Sequence, residues 1–256
     1  MHALGYHCLM NEINYTEVNS KAIDKWVKEG WIWSQSISHE AFVKAQQGQW
    51  SVLLTPTKPV PHSWLGDLRG KRLLGLASAG GQQMPIFCAL GAICTVLDYS
   101  DEMLAKEREV AAREDYSIEI IKADMTKPLG FEDESFDIIF HPVSNCYVKQ
   151  VLPIWRECHR ILRKGGVLLC GLDNGINFAF TDDESELANR LPYDPLENRR
   201  LLEEDDAIEF SHTIEEQLDG QIRAGFTFTN IEGDTNQDGR LASFNIPCFY
   251  MTRAVK

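Results

Sequence analysis

The chain has 256 residues, 44% hydrophobic and 25% charged, with a formal net charge of −13. That size supplies one large core, or a core with a modest accessory region, and the composition is that of a soluble globular protein. The acidic balance opposes a nucleic-acid partner, since phosphates call for a basic surface and Lys and Arg form no dense cluster; no apolar run approaches the roughly 20 residues that span a bilayer.

Residues 1–10 have neither a basic flank nor a long apolar core, so no signal peptide is expected, and Met10 offers an alternative start. Seven cysteines (Cys8, Cys88, Cys94, Cys146, Cys158, Cys170 and Cys248) lack C-x-x-C spacing, and several fall in apolar segments. Reduced cysteine packs there as a small hydrophobe, which suits a cytoplasmic protein. The histidines show no ligand spacing, so no metal is expected.

Residues 23–64 are aromatic-rich and mostly helical in pattern, with Trp26, Trp31, Trp33, Phe42, Trp50 and Trp64. Ser38 ahead of His39-Glu40-Ala41-Phe42 reads as a helix start. Residues 55–64 carry three prolines, which exclude a helix and leave a rigid connector. From Lys71 the pattern alternates. Residues 73–77 form a strand, 82–90 a short helix with Pro85 in its first turn, and 93–97 a second strand. Ser100 caps a helix whose first turn carries Asp101 and Glu102, favourable to its dipole. Strands follow at 118–121 and 136–140.

Between Val148 and Leu162 the apolar residues Val151, Ile154, Trp155, Cys158, Ile161 and Leu162 fall at helical spacing, Lys164-Gly165-Gly166 stops that helix, and 167–170 is the fifth strand. Residues 173–210 read as a long irregular acidic insertion. Thr213-Ile214-Glu215-Glu216 is a capping box opening a helix that ends near Gly225, and β-rich runs at 226–231 and 246–252 close the chain. The whole predicts an α/β fold: a doubly wound, mostly parallel seven-stranded sheet, a tryptophan-rich helical cap and connector (1–64), a main domain (65–256) and an insertion at about 173–212.

The chemistry concentrates after the first strand. Leu76-Ala77-Ser78-Ala79-Gly80-Gly81 opens into Gln82 and Gln83, and the second strand ends on Asp98. Small residues let backbone approach a nucleotide-type cofactor, N–H groups at the following helix can meet its anionic group, and a carboxylate captures ribose hydroxyls. A second acid follows the third strand in Lys122-Ala123-Asp124-Met125. The strand Phe136-Asp137-Ile138-Ile139-Phe140 is followed by His159-Arg160-Ile161-Leu162-Arg163-Lys164-Gly165-Gly166, and Ala224-Gly225-Phe226 precedes the late β-rich runs.

In that order these pieces resemble the class I S-adenosylmethionine-dependent methyltransferases, of the bacterial small-molecule, type 11-like kind, from Lys71 onward. The resemblance implies S-adenosylmethionine as cofactor, with S-adenosylhomocysteine as product. It implies cofactor contacts at Leu76, Ala77, Ser78, Ala79, Gly81, Gln82, Gln83, Asp98, Tyr99, Ala123, Asp124, Met125 and His141. Asp98 would take both ribose hydroxyls, Asp124 the adenine amino group, and Met125 and Tyr99 the ring. Alanines stand at 77 and 79 where the family pattern has glycine, and Gly75 stands where it often has an acid; Gln82 or Gln83 can replace that contact.

His141 follows the fourth strand at the cofactor end of the sheet, where it serves as a catalytic base or orders the turn with Pro142. Trp33, Asn145, Tyr147 and His212 are candidates for the acceptor pocket, and aromatic faces of the cap can attract a sulfonium. Asp137 reads as structural, Cys146 as a buried filler, and residues 132–134 as a solvated loop. The expected activity is in-line methyl transfer to an oxygen, nitrogen or carbon atom of a small molecule by a monomer or homodimer, without nucleic acid or membrane. An RNA or protein methyltransferase, a non-catalytic cofactor binder and an NAD(P)-dependent oxidoreductase are the alternatives; the last lacks its G-x-G-x-x-G loop.

Overall fold

Strand alternation sends side chains to opposite faces of a sheet. In the computed structural model, which describes residues 13–197, 201–202 and 206–256, the central strands obey it strictly. The expectations for residues 1–10, including Met10 and Cys8, lie outside the described residues.

Ahead of the sheet run α1 (Tyr15–Lys28), a 3-10 turn at Ile32–Ser34, α2 (His39–Gln46) and α3 (His62–Leu65). The alternating part follows as β1 (Arg72–Leu76), α4 (Met84–Ala89), β2 (Ile93–Asp98), α5 (Asp101–Glu114), β3 (Glu119–Lys122), β4 (Phe136–His141), α6 (Leu152–Ile161) and β5 (Leu162–Asp173). Then come α7 (Ile176–Ala179), a π-helical turn at Glu215–Asp219, α8 (Gly220–Ala224), β6 (Thr227–Asp234), α9 (Gly239–Ser243) and β7 (Phe249–Val255).

The seven strands form one sheet in the order β3-β2-β1-β4-β5-β7-β6. β1 to β5 pair in parallel, while β7 is antiparallel to both β5 and β6. Leu74, Leu76 and Ile139 face one side, packing with Trp155, Cys158 and Ile161 of α6. Leu73, Ile138 and Phe140 face the other, against Phe87 of α4, Leu104 of α5 and Trp64 of α3. The strand order turns back between β1 and β4, so their carboxyl ends open the crevice where such sheets bind ligands.

Local signals set several boundaries. The Ser38 side chain accepts from the Ala41 N–H at 3.1 Å, and that of Ser100 from the Met103 N–H at 3.1 Å. The capping box closes both ways: the Thr213 N–H donates to Glu216 Oε2 at 2.9 Å and the Glu216 N–H to Thr213 Oγ1 at 3.2 Å.

Three readings need correction. The proline connector ends in helix, because Pro61 occupies the N-cap of α3, where a missing N–H costs nothing. The helix expected from residue 148 starts only at Leu152, after a 3-10 turn at Asn145–Tyr147. Lys164-Gly165-Gly166 does not stop a helix: β5 has already begun at Leu162, and the glycines carry a bulge. There the Gly165 N–H donates to the carbonyl of Lys256 and the Lys256 N–H to that of Gly166.

Candidate functional site

The loop after β1 is shaped by backbone strain. Ala77 and Ala79 lie in the left-handed region at φ 46° and 68°, a conformation that costs a non-glycine residue about 1–2 kcal/mol. The residues are alanine, but the geometry is that of the glycines they replace. A Cβ on Gly80 would fall 2.5 Å from the Met103 carbonyl oxygen, so the loop lies directly on α5. From α5, the buried Glu107 carboxylate accepts the Gly81 N–H at 2.8 Å and the Tyr116 hydroxyl at 3.0 Å; desolvation raises its pKa to about 7. At Gly75 a Cβ would collide with Ser78 Oγ and Met84 Sδ, which explains why no acid stands there.

The end of β2 supplies the next wall. Asp98 accepts the Ser100 N–H at 2.8 Å. Burial pushes its carboxyl up to about 6, against the lowering effect of the Ser100 and Tyr99 N–H groups. Helix α1 is tied down beside it: Ser20 donates to the Tyr99 carbonyl at 3.0 Å, and Asp24 accepts the Ser100 hydroxyl at 2.6 Å and the Glu102 N–H at 3.1 Å. An acid over the amino end of α5 is favourable to its dipole.

These walls enclose a cavity of about 200 Å³. Of the residues singled out from the sequence, Ala77, Ser78, Ala79, Gln82, Gln83, Asp98, Tyr99, Met125, Trp33 and Tyr147 line it. Gln82 donates to the Ile32 carbonyl at 3.2 Å, and Gln83 accepts the Leu53 N–H at 3.2 Å, so each is anchored at one end. Leu76 is core, and Gly81 lies packed against Val110 and Ser36. Ala123 and Asp124 stand just ahead of Met125 without lining the cavity; Asp124 accepts the Thr126 N–H at 2.8 Å.

His141, Asn145 and His212 are corrected more sharply. His141 is 0% exposed, between the Leu76 carbonyl (2.8 Å from Nδ1) and the Asn145 side-chain oxygen (2.8 Å from Nε2). Burial lowers its pKa, against the raising effect of the Leu76 and Asn145 oxygens, and a neutral ring, with one N–H, donates to one of the two. It is not among the residues lining the cavity. Asn145 passes the chain on to Gln217 Oε1 at 3.0 Å, and Gln217 donates to the Asp173 carbonyl at 3.2 Å. His212 is buried and bonds the Asn145 carbonyl at 3.0 Å. His62 stacks on Trp50 at 3.7 Å, away from the cavity.

Sequence reasoning missed Leu54, Thr55 and Pro56 of the connector, Val143 after β4, and Phe249 of β7, all of which line the cavity. The prolines signalled a rigid segment but not its direction. Phe249 gives no local signal, because only the antiparallel β5–β7 pairing brings it there.

A second cavity, of about 460 Å³, shares Val143, Cys146 and Phe249 with the first. The insertion builds much of it, including Phe178, Tyr193 and Glu209.

A model of the methyltransferase domain matches residues 74–170. The uncharacterized methyltransferase YbaJ of Bacillus subtilis (strain 168) is 38% identical over 250 residues, spanning 93% of this chain and 97% of that one. An S-adenosylmethionine-dependent methyltransferase structure from Mesorhizobium loti superposes with a TM-score of 0.60 at 22% identity, covering 76% of this chain and 95% of that one. The chain belongs to the class I S-adenosylmethionine-dependent methyltransferases. The methyltransferase also shares its fold with the Burkholderia thailandensis 1,6-didemethyltoxoflavin-N1-methyltransferase, solved with 1,6-didemethyltoxoflavin and S-adenosylhomocysteine. That match has a TM-score of 0.60 at 14% identity and covers 94% of this chain and 88% of that one.

The methyltransferase's first cavity suits an adenosyl donor on its own chemistry. Ser78 and Tyr99 line it, and their buried hydroxyls have no hydrogen-bond partner among the described residues. Asp98 makes no ion pair among the described residues and offers lone pairs beside them. Among the described residues, no cluster of side chains is arranged to hold a metal, and no helix is long and apolar enough to cross a membrane.

Proposed function

We propose that the 200 Å³ cavity holds S-adenosylmethionine and that the acceptor is a small molecule, methylated in line at oxygen, nitrogen or carbon. The observation that carries this placement is Asp98 at the end of β2, lining the same cavity as Ser78 and Tyr99, whose hydroxyls have no hydrogen-bond partner among the described residues. In this reading Asp98 accepts from both ribose hydroxyls and Met125 and Tyr99 flank the adenine. Asp124, outside the cavity's lining but next to Met125, takes the adenine amino group at its margin, and backbone N–H groups of residues 78–83 other than Gly81 receive the methionine carboxylate. When bound, the cofactor supplies an electrophilic methyl group on a sulfonium.

The protein's contribution is orientation and exclusion of water. Apolar walls from Trp31, Trp33, Leu54 and Phe249 keep the site dry, and the tryptophan faces favour a cation. Holding two reactants in line is worth effective molarities of order 10⁵ M or more. Residues 13–64 act as a cap on the main domain, anchored through α1. A small acceptor, rather than RNA, is favoured by the net charge of −13.

Calorimetry tests the donor assignment. S-adenosylhomocysteine binds with one-to-one stoichiometry and NADPH does not; the reverse result overturns the reading. Transfer of label from methyl-labelled S-adenosylmethionine into fractions of small molecules then tests the acceptor class. Label appearing only in RNA or protein overturns that part.

A further inference from the structure

The second cavity has a one-sided chemistry. Asp173, Asp182, Asp206 and Glu209 line it, and among the described residues no Lys, Arg or His does. Asp173 is 7% exposed, yet among the described residues its carboxylate meets the Gly175 N–H at 2.5 Å and the Asn177 side chain and no cation. Glu209 is held by the Tyr147 hydroxyl, and Asp173 and Asp206 both press on it electrostatically. Neither Asp173 nor Glu209 makes an ion pair among the described residues. Burial pushes Asp173 up to about 6 and Glu209 up to about 7. Among the described residues these carboxyls have no countercharge, and buried carboxylates that face a cavity in that way gain when a cation enters.

The remaining surface is aromatic. Phe178 stacks on Tyr193 at 5.4 Å on one part of the wall, and Trp26 and Phe249 contribute elsewhere. Ring faces attract ammonium groups and give flat area to an apolar body. The cavity meets the donor cavity along Val143, Cys146 and Phe249, and Tyr147, which lines the donor cavity, holds Glu209.

Resting on the donor placement proposed above, we infer that this second cavity is the acceptor site and that its substrate is a cationic amine carrying an aromatic or apolar body. The ammonium group is held by Asp173 and Glu209. The body lies between the aromatic walls, and the atom to be methylated reaches the wall shared with the donor cavity.

The test uses the full chain saturated with S-adenosylhomocysteine and three matched probes: 2-phenylethylammonium, 2-phenylethanol and 3-phenylpropionate. Affinities are read by ligand-detected NMR titration. The ammonium probe binds at least tenfold more tightly than the alcohol, and the carboxylate does not bind. Asp173→Asn and Glu209→Gln, which keep size and hydrogen-bonding capacity, each weaken the ammonium probe about tenfold or more and leave S-adenosylhomocysteine affinity within about twofold. Equal binding of the alcohol, preference for the carboxylate, or no binding of the ammonium probe overturns the inference while the donor site stands. A preference that survives in both variants places the cation elsewhere and overturns it equally. Failure of wild-type protein to bind S-adenosylhomocysteine overturns the reading beneath it.

Discussion

Replacing Asp98 with asparagine separates its charge from its shape. In the proposed complex the carboxylate accepts two ribose hydroxyls, and hydrogen bonds to an ionised group contribute about 1.5–3 kcal/mol each. Asparagine keeps one acceptor and loses the charge, for a loss of about 2–3 kcal/mol, or roughly 30–150-fold in Kd. The pH dependence adds a sharper signature. Asp98 titrates at about 6 in the free protein because burial disfavours its ionised form. The ionised form is the one that binds the ribose, so affinity is level above about pH 7 and falls by up to about tenfold per unit below pH 6. Asp98→Asn lacks this titration and its profile is flat there. Calorimetric titration with S-adenosylhomocysteine from pH 5 to 8 measures both effects. Equal affinities for the two proteins at pH 7.5, or a wild-type affinity that holds or rises toward pH 5, refutes the assignment of Asp98 to the ribose.

Other consequences are equally open to measurement. Ala79→Gly relieves a left-handed alanine, about 1–2 kcal/mol, against about 0.5–1 kcal/mol of added chain entropy, so the variant melts no lower than wild type. By contrast Ala111→Gly, within α5, loses about 1 kcal/mol and melts about 2–4 °C lower; equal losses for the two refute the strain argument. Glu107 has its folded pKa raised to about 7, so the stability it lends is full below its unfolded value near 4.5 and is lost as pH rises through 7. Glu107→Gln, still able to accept the Gly81 N–H, therefore melts higher than wild type at pH 8 and level with it at pH 5; the opposite order in thermal scans contradicts this. His141→Ala strands the Leu76 carbonyl and the Asn145 amide and costs about 2–4 kcal/mol, read by urea denaturation. An unchanged midpoint would remove His141 from the structural network.

The sheet was legible because its signals are local. Short apolar runs punctuated by Pro85, Ser100 and the Thr213–Glu216 box define strands and helices without reference to the rest of the chain. That Ala77, Asp98 and Met125 share one cavity was legible for the same reason, since all lie at or just past strand ends whose direction a parallel sheet fixes. Position at a strand end does not say which way the His141 imidazole turns. Here a carbonyl one strand away, at Leu76, captures it. The second cavity was invisible because its walls come from α1, the turn after β4, the insertion and β7. No spacing rule joins Trp26, Asp173, Glu209 and Phe249, and only the packing of the insertion onto the sheet edge brings them together.

The most direct test of the donor assignment is a crystal structure of the full chain grown with S-adenosylhomocysteine. The account predicts ligand density in the cavity between the β1 loop and the end of β2, with the ribose on Asp98 and the adenine between Tyr99 and Met125. Density for the nucleoside in the acidic cavity instead, or a ribose with no contact to Asp98, would contradict it.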